Sequence, residues 1–249
     1  MTSTPTTQRA TQTPRDVRRF WRILLAVVAP LPMLAQGAYY LLSPVDGNAS
    51  FETNLAAVTA NPGRFEALQW IQVPFFLLIP AVLAVAWASH RPAPRLATAG
   101  GLIALIGLSA GFFLLPGVVS VEYLTVHEGL DSATMGKLAA AAADQPTILL
   151  GGLLFIIAIT IGLLLLGIAL WRSRVAPAWM GIALAVGGFT HPFMPGHVAA
   201  GIGLLVAAVG FAGASVALLR MRNDDFDLPP VAPVRFEVTR APVGAVPAR

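Results

Sequence analysis

No cysteine occurs anywhere in the 249 residues. Disulfides, thiolate metal sites and cysteine nucleophiles are therefore excluded. Charge is the second scarcity. Asp, Glu, Lys and Arg make up only 11% of the chain, against about 25% in ordinary soluble domains. The scarcity is uneven, because long stretches carry no charged residue at all. That removes the intramembrane carboxylates and amines that mark proton relays, ion paths and coupled transport. Soluble-enzyme signatures are missing too. There is no Gly-x-Ser-x-Gly elbow, no phosphate-binding Gly-rich loop followed by Lys-Ser/Thr, and no His-Glu-x-x-His. Neither paired aspartates, a Ser/His couple nor zinc ligands form a set within the apolar runs. The reading assigns no catalytic residue, no cofactor and no metal.

What is present is apolar. Hydrophobic residues reach 56% and the mean hydropathy is +0.73. Lipid is the solvent that stabilises such a composition. The net charge of +4 and pI near 10.3 would point to nucleic acid in a soluble protein. Here the basic residues flank apolar runs, so the partner is the lipid bilayer and not nucleic acid.

Six uncharged runs mark spans: Ile23–Leu42, Ala67–Ala88, Leu96–Val119, Thr147–Trp171, Pro177–Phe189 and Val198–Leu219. Twenty residues of helix reach roughly 30 Å, the thickness of the hydrocarbon core. The fifth run reaches span length only by continuing to Phe193, with a tight turn around Met194, Pro195 and Gly196. A re-entrant pair in place of spans five and six is the alternative. The first run resembles a twin-arginine leader only faintly. Arg22 interrupts it, and Gln36, Gly37 and Ala38 make a poor cleavage site, so it reads as an uncleaved span. The expected organisation is a disordered tail over 1–19, an all-α six-span membrane bundle over 20–221, and a Pro-rich disordered tail over 222–249.

Arginines set the orientation. Arg9, Arg15, Arg18, Arg19, Arg22, Arg91, Arg95, Arg172, Arg174, Arg220, Arg222, Arg235, Arg240 and Arg249 fall on one side of this scheme. Only Arg64 and Lys137 fall on the other. Positive residues stay inside, so both termini are expected in the cytoplasm of a bacterial-type cell membrane. Trp21, Trp87, Trp171 and Trp179 lie at the inner ends and Trp70 near an outer end, as an interfacial belt requires.

The two long outer segments each predict a short helix. Phe51–Ala60 stops at Asn61, Pro62 and Gly63, and Ser132–Ala143 starts after Asp131, an N-cap residue type. These segments expose a repeat. Leu55, Ala56 and Ala57 match Leu138, Ala139 and Ala140; Trp87 matches Trp171; Pro94 matches Pro177; Gly101 matches Gly181. The pattern reads as an outer helix plus a two-span hairpin, used twice in parallel orientation.

Lipid tails solvate Leu as well as another helix does, so close packing must come from small residues. Gly196, Ala200, Gly203, Ala207, Gly210, Ala214 and Ala217 form one stripe along the sixth run. Gly100, Ala104, Gly107 and Gly111 repeat the device in the third, and Gly181, Ala185 and Gly188 in the fifth. Such stripes serve contacts within one bundle, and that of the sixth run equally suits a homo-oligomer seam.

Weakly polar residues gather toward the outer ends. Gln36, Tyr40, Glu66, Gln69, Gln72, Glu122, His191 and His197 are the candidate ligand-binding residues. Gln69 and Gln72, three apart, share a helix face. The string His191-Pro192-Phe193-Met194-Pro195-Gly196-His197 sets two imidazoles across a turn. Imidazoles ligate metals or haem and titrate near neutral pH. Their spacing matches no zinc template. The bland reading is that such groups satisfy one another or interfacial water.

The stretch Leu163–Ile182 also resembles a family of actinobacterial-type integral membrane proteins defined only as a domain of unknown function. Gly167, Trp171, Arg172, Ser173, Pro177 and Trp179 carry the likeness. It implies several spans and no particular activity.

The expected function is a non-enzymatic membrane module binding a lipid, a small hydrophobic ligand or a membrane partner on its outer face. A transporter of neutral or apolar solutes and a His-dependent metal or haem enzyme are the alternatives.

Overall fold

A computed structural model describes residues 16–47, 49–114 and 120–227, with every side chain in them except that of His191. Regular structure among the described residues is all helical. In chain order the helices are α1 (Arg18–Val28), α2 (Leu31–Leu42), α3 (Phe51–Ala60), α4 (Pro62–Gln72), α5 (Leu78–Ser89), α6 (Pro94–Leu114) and α7 (Val121–His127). Then follow α8 (Ser132–Ala143), α9 (Pro146–Ile157), α10 (Leu163–Ser173), α11 (Ala178–Thr190), α12 (His197–Arg220) and α13 (Asn223–Phe226). The expected tails over 1–15 and 228–249, and the expected end of the third run through 115–119, lie outside the described residues.

Five stretches are long and apolar enough to cross a membrane: Arg18–Leu42, Pro62–Ser89, Pro94–Leu114, Pro146–Ser173 and His197–Arg220. Large apolar side chains stand exposed on them. Phe113 is 88% exposed and Leu149 62%, which suits lipid and not water. The sixth apolar helix, Ala178–Thr190, has only 13 residues, about 20 Å at the helical rise. It pairs antiparallel with α10 and α12. Its last turn meets Ile159 and Leu163 at Gly188, halfway along the Pro146–Ser173 stretch. A 3₁₀ turn, His191–Phe193, prolongs it by one turn.

Glycine sets the closest approaches. A Cβ on Gly181 would lie 2.5 Å from the Trp171 backbone nitrogen, and one on Gly210 would strike the Leu184 backbone. From Ala200 to Ala217 the α12 stripe is buried inside the chain, while Gly196 stays exposed. Ala207 and Ala214 are fully buried and Gly187 abuts Ala207. The α6 stripe seats Gly107 and Gly111 against Leu154, Phe155 and Ala158.

The long stretches are not uniform helices. The hydrogen-bond ladder of the first is interrupted between α1 and α2, because Pro30 and Pro32 supply no N–H for it. Pro74 and Pro80 do the same in Pro62–Ser89, and residues Val73–Leu77 tighten to a 3₁₀ turn between α4 and α5. In Pro146–Ser173 a π turn, Ala158–Gly162, separates α9 from α10. There the buried Thr160 hydroxyl donates to the Ile156 carbonyl at 2.6 Å.

Helix starts reveal two environments. α3, α7 and α8 begin with side-chain caps: Ser50 accepts from Thr53 N, Ser120 from Tyr123 N, and Asp131 from Thr134 N. Three of the five apolar stretches begin instead with proline, at Pro62, Pro94 and Pro146. Its missing N–H is one fewer orphan donor at the bundle end.

α3, α7 and α8 pack on one another over one end of the bundle, the capped end. The starts of α4 and α12 and the end of α2 meet there: Arg64 donates to the Leu42 carbonyl, and Gly201 abuts Tyr40. The opposite, arginine end gathers Arg18, Arg91, Arg172 and Arg220 at helix termini. Residues 223–226, where sequence placed the start of a tail, form α13 and dock there. Trp87 Nε1 donates to the Phe226 carbonyl at 2.8 Å, and the two rings lie 5.8 Å apart.

Candidate functional site

Antiparallel packing of α2 on α4 decides which sequence candidates meet. Gln36 and Tyr39, three apart, share a face of α2. Gln69 and Gln72 share a face of the facing stretch. Tyr39 sits beside Ser43, Gln72 and Glu122, so α2, α4 and α7 bring these groups together under the cap. Three amide atoms here are buried with no hydrogen-bond partner among the described residues: Gln36 Oε1, Gln69 Oε1 and Gln69 Nε2. A buried amide left unpaired costs about 1–3 kcal/mol, and apolar surroundings offer it no substitute.

A second cluster lies on the α12 side of α2. Tyr40, Asp46, Pro192, Met194 and His197 line a pocket of about 220 Å³. His197 Nδ1 stands 3.3 Å from Asp46 Oδ2. Asn54 fixes the loop carrying Asp46, donating to the Asp46 carbonyl at 2.9 Å and accepting from Asp46 N at 3.1 Å. The Tyr39 and Tyr40 rings, 6.0 Å apart and edge to face, join the two clusters.

Glu66 does not join either cluster. It is exposed on α4 near Tyr123 of α7. Partial desolvation, and then the Glu66 and Glu128 carboxylates, push the Tyr123 phenol above its usual range. Tyr123 also stacks on buried Phe65, with centroids 5.8 Å apart. His191 lies in the 3₁₀ turn after α11, and its side chain is outside the described part.

Sequence reasoning missed Asp46 and Asn54. Asp46 is 151 positions from His197, too far for any local spacing to reveal the pair. The missed helix α7 had its own signal in Ser120, a capping type, ahead of Val121.

Neutral amides and phenols lead this end, with Glu122 and Asp46 at the rim. Such groups exchange hydrogen bonds with hydroxyl or amide functions. Among the described residues no group of three His, Asp or Glu converges as metal ligands. Comparison with models of known families, with curated proteins and with solved structures finds no match to this chain. The likeness seen over Leu163–Ile182 therefore assigns no family.

Proposed function

We propose that this membrane protein is a binding module without catalytic activity. It holds a lipid or small hydrophobic ligand, bearing hydroxyl or amide groups, at its capped end. The carrying observation is the trio of unpartnered atoms on Gln36 and Gln69. Groups so placed need an outside partner, and an apolar ligand with a polar head supplies one. The close-packed middle of the bundle favours binding over passage, with Leu78, Val82, Leu163, Leu166 and Phe211 all at most 1% exposed.

The wider frame is a cell membrane crossed six times, with both termini cytoplasmic and α3 and α8 outside. Arginine asymmetry supports that orientation. A parallel repeat draws support from element order. α3 and α8 each precede a 28-residue apolar stretch, and each stretch changes helix type near its middle. Self-association would need a face other than the α12 stripe, which the chain's own helices cover.

Two experiments test these readings. Because the chain has no native cysteine, single cysteines report topology cleanly. Thr134→Cys and Met194→Cys should react with a membrane-impermeant maleimide on intact cells, and Ser173→Cys only after permeabilisation. Labelling of Ser173→Cys on intact cells would reverse the orientation. For the site, native mass spectrometry of gently purified protein should show a retained small molecule that Q36L/Q69L loses. Equal retention by both proteins would remove the carrying observation's meaning.

A further inference from the structure

The arginine end holds a pocket of about 320 Å³ between the ends of α5 and α12. Arg91 and Arg220 line it, together with Trp87, His90, Met221 and Asp225. His90 Nδ1 lies 2.5 Å from the Trp87 carbonyl oxygen. A carbonyl only accepts, so Nδ1 carries the hydrogen. The other ring nitrogen, Nε2, is buried with no partner among the described residues. Arg220 is exposed and makes no ion pair among the described residues. Two guanidinium groups thus line a pocket whose one anion among the described residues is Asp225, 3.3 Å from Arg91.

Arg91 also donates to the Asp224 and Asp227 carbonyls, so α13 is docked through its backbone and only the Arg91–Asp225 side-chain pair is weak. Asp225 sits on a four-residue helix, and its side chain and that of Arg91 are 51% and 36% exposed. Exposed pairs of this kind contribute little. The Trp87 and Met221 walls are apolar, so the pocket is amphipathic: guanidinium groups for a charged head and apolar surface for what the head is attached to. Arginine's planar fork suits phosphate oxygens.

We propose that this pocket is a binding site for the phosphate head of an anionic phospholipid, held by Arg91 and Arg220, and that Asp225 is its internal competitor. The site is independent of the glutamine cluster at the far end. Loss of ligand there leaves this proposal standing, and the reverse also holds.

The test is native mass spectrometry of the full chain in a neutral detergent, titrated with phosphatidylglycerol, phosphatidylcholine or inorganic phosphate. One phosphatidylglycerol should bind in preference to phosphatidylcholine. Each surface arginine contributes about fivefold to anionic-lipid affinity. R220Q should therefore weaken phosphatidylglycerol about fivefold, R91Q R220Q should weaken it further, and D225N should strengthen it by a similar factor. R220Q removes no ion pair among the described residues, so it guards against misreading a folding defect in R91Q. Equal binding of the two lipids, or no change in D225N and R220Q, overturns the proposal. Displacement of phosphatidylglycerol by equimolar inorganic phosphate overturns the lipid assignment in favour of a soluble phosphate.

Discussion

The two ends of the bundle solve the same problem in opposite ways. At the arginine end the polar groups are mostly charged and exposed, and Arg18 and Arg91 pair with carboxylates. Arg18 reaches Asp16 at 2.8 Å and Asp227 at 3.0 Å, and Asn223 bridges to Asp16 at 3.0 Å. At the capped end the principal polar groups are neutral, buried and partly unpaired. Charges can stay wet at a helix end and lose little. Amides placed beneath a helical cap lose water without gaining a partner. The first end is therefore suited to a charged head, and the second to a neutral polar one.

The largest expected effect lies between the ends. Gly210→Leu would force a side chain into the Leu184 backbone. Such overpacking should cost about 3 kcal/mol, and both ends should lose thermal stability together in detergent. If only one end responded, the seam between α11 and α12 would not join them.

Next comes a difference in sign. Q69L removes buried atoms that lack partners, so the ligand-free protein should gain about 1–2 kcal/mol. R91L, at the other end, removes an exposed pair and the donations to the Asp224 and Asp227 carbonyls, and should lose about 1 kcal/mol. Thermal melts of both variants check this. Destabilisation by Q69L would mean that its amide is already satisfied.

A smaller effect concerns the cap. D131A deletes the acceptor for Thr134 N, 2.8 Å away, and should cost about 1 kcal/mol. Faster amide exchange should then be confined to α8, with the arginine end unchanged.

The smallest effect is a pH dependence. Hydrogen bonds from the Arg18 side chain and then its backbone N–H lower the Asp16 carboxyl from 3.8 to about 2. The folded value lies below the unfolded one. The Asp16 contribution is thus complete above 3.8 and is lost as pH falls through about 2. Trp87 fluorescence, read in a chain with the other tryptophans replaced, should report α13 undocking only in that acidic window. Release at higher pH would show that Asp16 does not hold α13.

Much of the fold was written locally. The bounds of α3 and α8 follow from Asn61-Pro62-Gly63 and from the Asp131 cap, and both helices appear as expected. The small-residue stripes mark where backbones touch. The breaks at Pro30 and Pro74 were present as prolines, but a proline alone does not say whether neighbours will straighten a helix or bend it. The shortness of α11 was readable from its run. The candidate site was only half legible. Gln36, Gln69 and Gln72 stand out as amides in apolar sequence, yet nothing local tells whether an amide meets a partner.

Composition and charge placement determined the helical class, the lipid surroundings and the asymmetric placement of arginine, because each is a property of segments and their solvent. Pairing was decided only by tertiary structure. It set Asp46 beside His197, left Gln69 without a partner, and laid Asp225 across the arginine pocket. Each of these depends on how helices distant in sequence approach one another, and that distance is set by packing rather than by any one helix.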